Sequence, residues 1–264
     1  MRSHRIGILG IAVAGGFGIW AGSVGAASVT LYDQDFEAPA NYVNNGGDVN
    51  IFTNVNQNYG GQPAGFQFAQ AFTVETLNVT GSARGTGTAA FGTGWSDPSG
   101  IGGDYAIGML SDRQNDLLGL SFDVGDFDFF NVEVDVSSID LSTFSGPFVQ
   151  PGDVPIFRFS LFDNPSGAVT TGGGTLLSSF DVTGTASERT VFDWTAATFG
   201  LGTAGNTNGN VTLQIDLLQG GYAAFDNLRL TAADTPPPPP IPLPASLPLL
   251  IAGLGAVALL RRRG

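Results

Sequence analysis

Two stretches constrain the fold more than any other feature: FNVEVDV (130–136) and VTLQIDL (211–217) alternate apolar and polar side chains throughout. In the first, Val132, Val134 and Val136 share one face, and Glu133 and Asp135 share the other. In the second, Val211, Leu213, Ile215 and Leu217 oppose Thr212, Gln214 and Asp216. A period of two puts successive side chains on opposite faces of an extended chain, so each stretch predicts a strand with one buried face. PIFRFSLF (155–162) repeats the pattern, with Phe157, Phe159 and Leu161 against Arg158 and Ser160. Residues 104–110, 118–124, 189–194 and 222–230 also fit strands. Turn clusters rich in Gly, Asn, Asp, Ser and Pro separate them, at 44–47, 96–100, 163–167 and 172–174. No amphipathic helix is evident from Ser28 to Ala233. The expectation is an all-β domain, an antiparallel β-sandwich or jelly roll, whose many phenylalanines fill the space between two sheets.

The ends of the chain differ from this middle. Residues 1–27 begin with Arg2 and Arg5, continue as an apolar run from Ile6 to Trp20, and finish Val24-Gly25-Ala26-Ala27. That is the layout of a secretory signal peptide, a helical segment cut by signal peptidase after Ala26 or Ala27; the alternative is a retained anchor. At the other end, DTPPPPP (234–240) is a stiff polyproline spacer. It leads into IPLPASLPLLIAGLGAVALLRRRG (241–264), whose apolar run predicts a short C-terminal transmembrane helix. Arg261, Arg262 and Arg263 would remain cytoplasmic. The domains expected are therefore 1–27, 28–233, 234–240 and 241–264.

Charge follows the same division. Arg84, Arg113, Arg158, Arg189 and Arg229 are the positive side chains between the two ends, and all 23 acidic residues lie there, giving 5 − 23 = −18. Such a surface repels nucleic acid and suits divalent cations or plain solubility, so no nucleic-acid partner is expected. The chain has no Cys, and its one His is His4, inside the segment expected to be removed. Thiolate and His-based nucleophilic machinery, and His-bound zinc, are thereby excluded from the mature protein.

The last two dozen residues closely resemble the VPLPA-CTERM sorting signal, a variant of the PEP-CTERM signals of Gram-negative bacteria. The resemblance rests on Ile241, Pro242, Leu243, Pro244 and Ala245, then one apolar helix and the Arg261–Arg263 cluster. Ile241 departs from the Val usual at the first position. The resemblance implies an exosortase-type membrane protease as partner, with membrane tethering before cleavage near Pro242–Ala245. It also implies a final place at the cell surface or outside the cell, and association with exopolysaccharide.

The domain begins SVTLYDQDFEAP (28–39) and ends YAAFDNLRL (222–230), a pairing similar to jelly-roll carbohydrate-binding modules. That resemblance implies that Asp35, Glu37 and Asp226 meet and hold a structural calcium, an ion that takes several oxygen ligands. The alternative is that the three are turn or edge residues. Trp95, in the loop GTGWSDPSG with Asp97 beside it, is a candidate platform for a sugar ring, or else an aromatic closing the end of the sandwich. Tyr42, Tyr59 and Tyr222 are further aromatics in loops or at strand ends, and Trp194 reads as core. Regularly alternating carboxylates such as Glu133 and Asp135 read as a solvent face, and no acid/base pair stands out. No glycine motif opens a helix that could cradle phosphate. The expectation is a non-enzymatic surface or matrix protein, with a calcium-dependent lectin-like module as the alternative and a polysaccharide-degrading enzyme as a remote second.

Overall fold

The computed structural model describes residues 27–40, 59, 67–68, 74–79, 96–109, 117–139, 154–185, 191–220 and 223–238. Eleven strands are described: β1 (Ser28–Gln34), β2 (Gln67–Phe68), β3 (Val74–Asn78), β4 (Tyr105–Met109), β5 (Leu117–Asp123), β6 (Phe129–Ser138), β7 (Ile156–Asp163), β8 (Leu176–Thr183), β9 (Thr195–Gly202), β10 (Asn210–Gln219) and β11 (Ala223–Ala233). One sheet runs β3-β4-β11-β6-β9, with β1 added to β11; the other runs β2-β5-β10-β7-β8. Every pairing between these strands is antiparallel. The chain is thus all-β among the described residues, as the alternating patterns require.

The periodic faces do what a half-buried strand should. Phe157, Phe159 and Leu161 are fully buried, as are Val211, Leu213, Ile215 and Leu217. Between the sheets they meet Phe130, Val132, Val136, Phe225 and Leu230 in one continuous core. Aromatic pairs cross the gap. Phe157 meets Phe225 edge-on at 6.3 Å, Phe159 meets Phe199 at 5.2 Å, and Phe122 meets Phe130 at 5.7 Å. Tilted and T-shaped pairs of this kind add about 0.5–1.5 kcal/mol each beyond the area they bury.

One strand expectation fails. Of the strand expected at 189–194, the described residues 191–194 are not a strand: Val191 makes a single isolated bridge to Ser96, and the strand follows at Thr195–Gly202. Phe192 and Trp194 are buried because their rings stack at 5.3 Å, 7° from parallel, and not because the backbone alternates there. Trp194 is buried, as expected, but against the 96–104 loop and not in the core cluster between the sheets. Asp126 and Asp128 lie in the turn before β6. Residues 1–26 of the expected signal segment and residues 241–264, where a C-terminal helix is expected, lie outside the described residues, among which no helix is long and apolar enough to cross a membrane.

Candidate functional site: a partner switch on the last strand

Strand β11 has β6 along one edge and two successive partners along the other. Leu228–Ala233 pair with β1, and Ala223–Phe225 pair with β4. The change of partner falls where the β11–β6 register slips by one residue, between Asp226 and Arg229. Such a bulge bends the strand and re-aims its side chains. Asn227 sits in it at φ 51°, a conformation Asn tolerates better than most residues.

Glu37 closes the gap between the two partner strands. Its carboxylate accepts the amide of Asp104 at 2.9 and 3.0 Å and that of Tyr105 at 3.2 Å, joining the exit of β1 to the entry of β4. Gly103, at φ 51°, permits the approach, since a Cβ there would run into the Glu37 carboxylate. Phe36, at φ 55°, turns the chain into this position. A bulky residue there costs about 1–2 kcal/mol, and burial offsets it. Its ring is fully buried, edge-on to Tyr59 at 5.2 Å and to Phe225 at 5.9 Å. Tyr59 is therefore a buried anchor and not a loop platform. Its hydroxyl donates to the Phe36 carbonyl at 2.8 Å, and burial pushes its phenol pKa upward.

Asp226 faces Asp135 directly across the β11–β6 ladder. Like charges so placed repel. Asp226 is 1% exposed and accepts the Asn227 amide at 2.7 Å. Burial first, then Glu37, Asp135 and Asp35, push its carboxyl up to about 8, against the lowering effect of the Asn227 amide. Asn227 Nδ2 donates to Asp135 at 2.9 Å and to the Ile101 carbonyl at 3.3 Å, tying the 96–104 loop to the sheet. Three sequence candidates, Asp35, Glu37 and Asp226, are thus brought within electrostatic reach of one another. Asp135 keeps the outward face that alternation gives it and joins them because the β11–β6 register sets it opposite Asp226.

Oxygen donors and a surplus of negative charge suit calcium in kind. As they stand, among the described residues, no three acidic side chains gather closely enough to chelate an ion. Glu37 is committed to backbone amides, and Asp35 accepts its neighbour Glu37 amide at 3.2 Å.

Asp97 is likewise committed inward. It accepts the amides of Ser99, Gly100 and Gly102, the Ser99 hydroxyl at 2.6 Å, and the Trp194 indole at 3.0 Å. Burial alone would raise its carboxyl; the bonds from Ser99, Gly102, Trp194 and Gly100 outweigh that and hold it below the ordinary carboxylate range. Trp95 lies outside the described residues, as do Tyr42 and Tyr222, and as do Ile241, Pro242, Leu243, Pro244, Ala245 and Arg261–Arg263.

The sequence matches no protein-family model and no curated protein. Among solved structures, the chain is similar to the CBM22-1 xylan-binding domain from Paenibacillus barcinonensis Xyn10C, at 10% identity and TM-score 0.40, covering 79% of this chain and 97% of that one. It is also similar to the mannan-recognising carbohydrate-binding module TmCBM27, at 13% identity and TM-score 0.34, covering 78% of this chain and 99% of that one. The K3 cleaved adhesin domain of Lys-gingipain from Porphyromonas gingivalis w83 gives 12% identity and TM-score 0.36, covering 78% and 99%. At these identities and scores the likeness bears on neither ligand nor site.

Proposed function

We propose that this chain is an exported, non-enzymatic protein of the cell surface or extracellular matrix, whose sandwich contacts exopolysaccharide. In this reading signal peptidase removes residues 1–27, and the C-terminal helix tethers the precursor to the membrane. An exosortase-type protease then cuts near Pro242–Ala245. The observation that carries the reading is the placement of the two ends. Ser28 pairs with Ala233, so β1 begins where β11 ends, at the root of the Pro-rich segment. From there β1 runs seven residues, about 20 Å, towards Phe36, Glu37 and the 96–104 loop. A tether leaving at Ala233 points the partner-switch end outward, where a matrix polymer would meet it. The acidic surface suits a neutral or cation-bridged polymer and disfavours nucleic acid.

A second reading, a calcium-dependent lectin-like module, is favoured by the opposed pair Asp226 and Asp135. There Asp226, Asp35 and Glu37 would hold the ion. It would supply the positive charge that the buried carboxyl otherwise lacks, and would fix the 96–104 loop for a glycan at Trp95 and Asp97.

Binding of the purified, processed protein to a panel of polysaccharides, with calcium and with chelator, separates the two. Weak, broad binding indifferent to chelator supports the matrix reading. Saturable binding to one glycan that is lost in chelator supports the lectin reading. Absence of binding under both conditions overturns both.

A further inference from the structure

The ladder between β1 and β11 continues one pair beyond Ser28 and Ala233. The Asp234 amide donates to the Ala27 carbonyl, and the Ala27 amide donates to Asp234 Oδ2, both at 3.2 Å. The following residues do not leave the domain at once. Asn131 Nδ2 donates to the Thr235 carbonyl at 3.1 Å. Pro236 and Pro237 lie across Gly200 of β9, where an added Cβ would stand 3.1 Å from each ring. The root of the Pro-rich segment is therefore docked on the sheet over β6 and β9. Proline has no amide to extend a ladder, so the docking depends on packing and on the contacts of Asp234 and Thr235.

The small-residue end of the N-terminal segment offers two bonds for cleavage, after Ala26 or after Ala27. The two differ in what they leave at Asp234. Hydrolysis between Ala26 and Ala27 adds water across the peptide bond, leaving a carboxylate on Ala26 and an α-ammonium on Ala27. The existing Ala27 N–H to Asp234 contact then becomes a charge-assisted one. Cleavage after Ala27 removes both Ala27 partners of Asp234.

We propose that signal peptidase cuts between Ala26 and Ala27, and that the ammonium released there pairs with Asp234 to hold the Pro-rich root on the sheet. The inference rests on the reading of residues 1–27 as an export signal. The docking contacts are already made by the unprocessed chain, and processing strengthens them by placing a charge at Ala27, so the step that completes export also tightens the hold on the root of the tether. Among the described residues, the charged groups beside Ala27 and Thr235 are Arg229 and Glu133, with Asp33 beside Arg229. They pair with one another, Arg229 with Glu133 at 3.1 Å and with Asp33 at 3.7 Å, which leaves Asp234 as the acceptor for the ammonium.

The test is intact mass and N-terminal sequencing of the full chain, expressed in a Gram-negative host and purified after export. A chain beginning Ala27-Ser28-Val29 is expected. A chain beginning at Ser28 overturns this proposal and leaves the export reading standing. A chain retaining Met1 overturns the export reading itself. The pairing is read separately, by comparing the processed protein with its Asp234→Asn variant. An α-ammonium with an anionic partner has its pKa raised above the usual value of about 8, so the stabilisation is complete below that value and lost above it. Asp234→Asn should lower Tm by about 1–3 °C at pH 6.5, and the difference should vanish at pH 9.5. An equal difference at both pH values, or none at pH 6.5, refutes the ion pair.

Discussion

Asp226→Asn offers the most direct test of the partner-switch site. The substitution keeps shape and hydrogen-bonding capacity and removes the charge. The wild-type carboxyl is pushed up to about 8 in the folded protein, chiefly by burial and then by Glu37, Asp135 and Asp35. In the unfolded chain its pKa is about 3.9. Between these values the folded state holds a proton that the unfolded state has released, so stability falls as pH rises. The favourable neutral form is complete below about pH 4, and its advantage is gone above about pH 8. Inside the window the slope is about 1.4 kcal/mol per pH unit, or about 2.7 kcal/mol between pH 5 and pH 7. For a domain of this size that corresponds to about 5–10 °C in Tm. The assay is thermal unfolding of wild type and Asp226→Asn in chelator across pH 5–8.5. The two curves should nearly meet at pH 5 and diverge as pH rises, with the Asn variant the more stable. Calcium stabilises the ionised carboxylate, so in the calcium reading it should raise the wild-type Tm at pH 7.5 and leave the variant unmoved. Parallel pH curves would show that Asp226 ionises freely in the folded protein and would sink the account of the site as a place of uncompensated charge.

Three further outcomes follow from the same geometry. Gly103→Ala should destabilise the domain by about 1–3 kcal/mol in urea unfolding, because the methyl group displaces the Glu37 carboxylate from the Asp104 and Tyr105 amides. Asp97→Ala should cost about 1–3 kcal/mol and change the near-ultraviolet circular dichroism of Trp194, since the indole and the Gly102 amide lose their acceptor; an unchanged spectrum would argue that Asp97 does not position the ring. Deleting residues 241–264 should abolish membrane retention of the precursor in cell fractionation, whereas unchanged retention would remove the sorting role from that segment.

The parts of the fold legible in the sequence are those where a single physical cause acts. Strands β6, β7 and β10 each bury one face against the opposite sheet, and their alternation reports it directly. Strand β9, TAATFGLG, carries small residues and two glycines, and only Phe199 and Leu201 mark its inward face. Among the described residues, strand β8 is the outermost of its sheet and is exposed along most of its length, so no buried stripe is written into LLSSFDVT. The error at 191–194 has the same root in reverse: two buried aromatics imitate a strand because a ring stack and an alternating face leave the same residue types two apart.

The candidate site shows a sharper limit. Asp226 and Asp135 lie about ninety positions apart, and which residue opposes Asp226 depends on the register of β11 against β6. A bulge of one residue changes that register, and with it the face each side chain takes. Alternation within β6 gives Asp135 the outward face it keeps, but does not report that Asp226 opposes it there. The positive-φ positions explain why carboxylates collect here. Where β11 exchanges β1 for β4, the ladder is interrupted, and backbone amides freed from it need acceptors. Glu37 supplies them to Asp104 and Tyr105, and Asp226 supplies one to Asn227. That requirement accounts for two of the carboxylates. It does not account for Asp135 set against a buried Asp226, a contact that costs free energy whenever both are ionised and that backbone satisfaction does not need. A proton on Asp226 relieves the repulsion up to about pH 8. Above that a cation can do so, and this is the physical ground on which the lectin-like reading competes with the structural one.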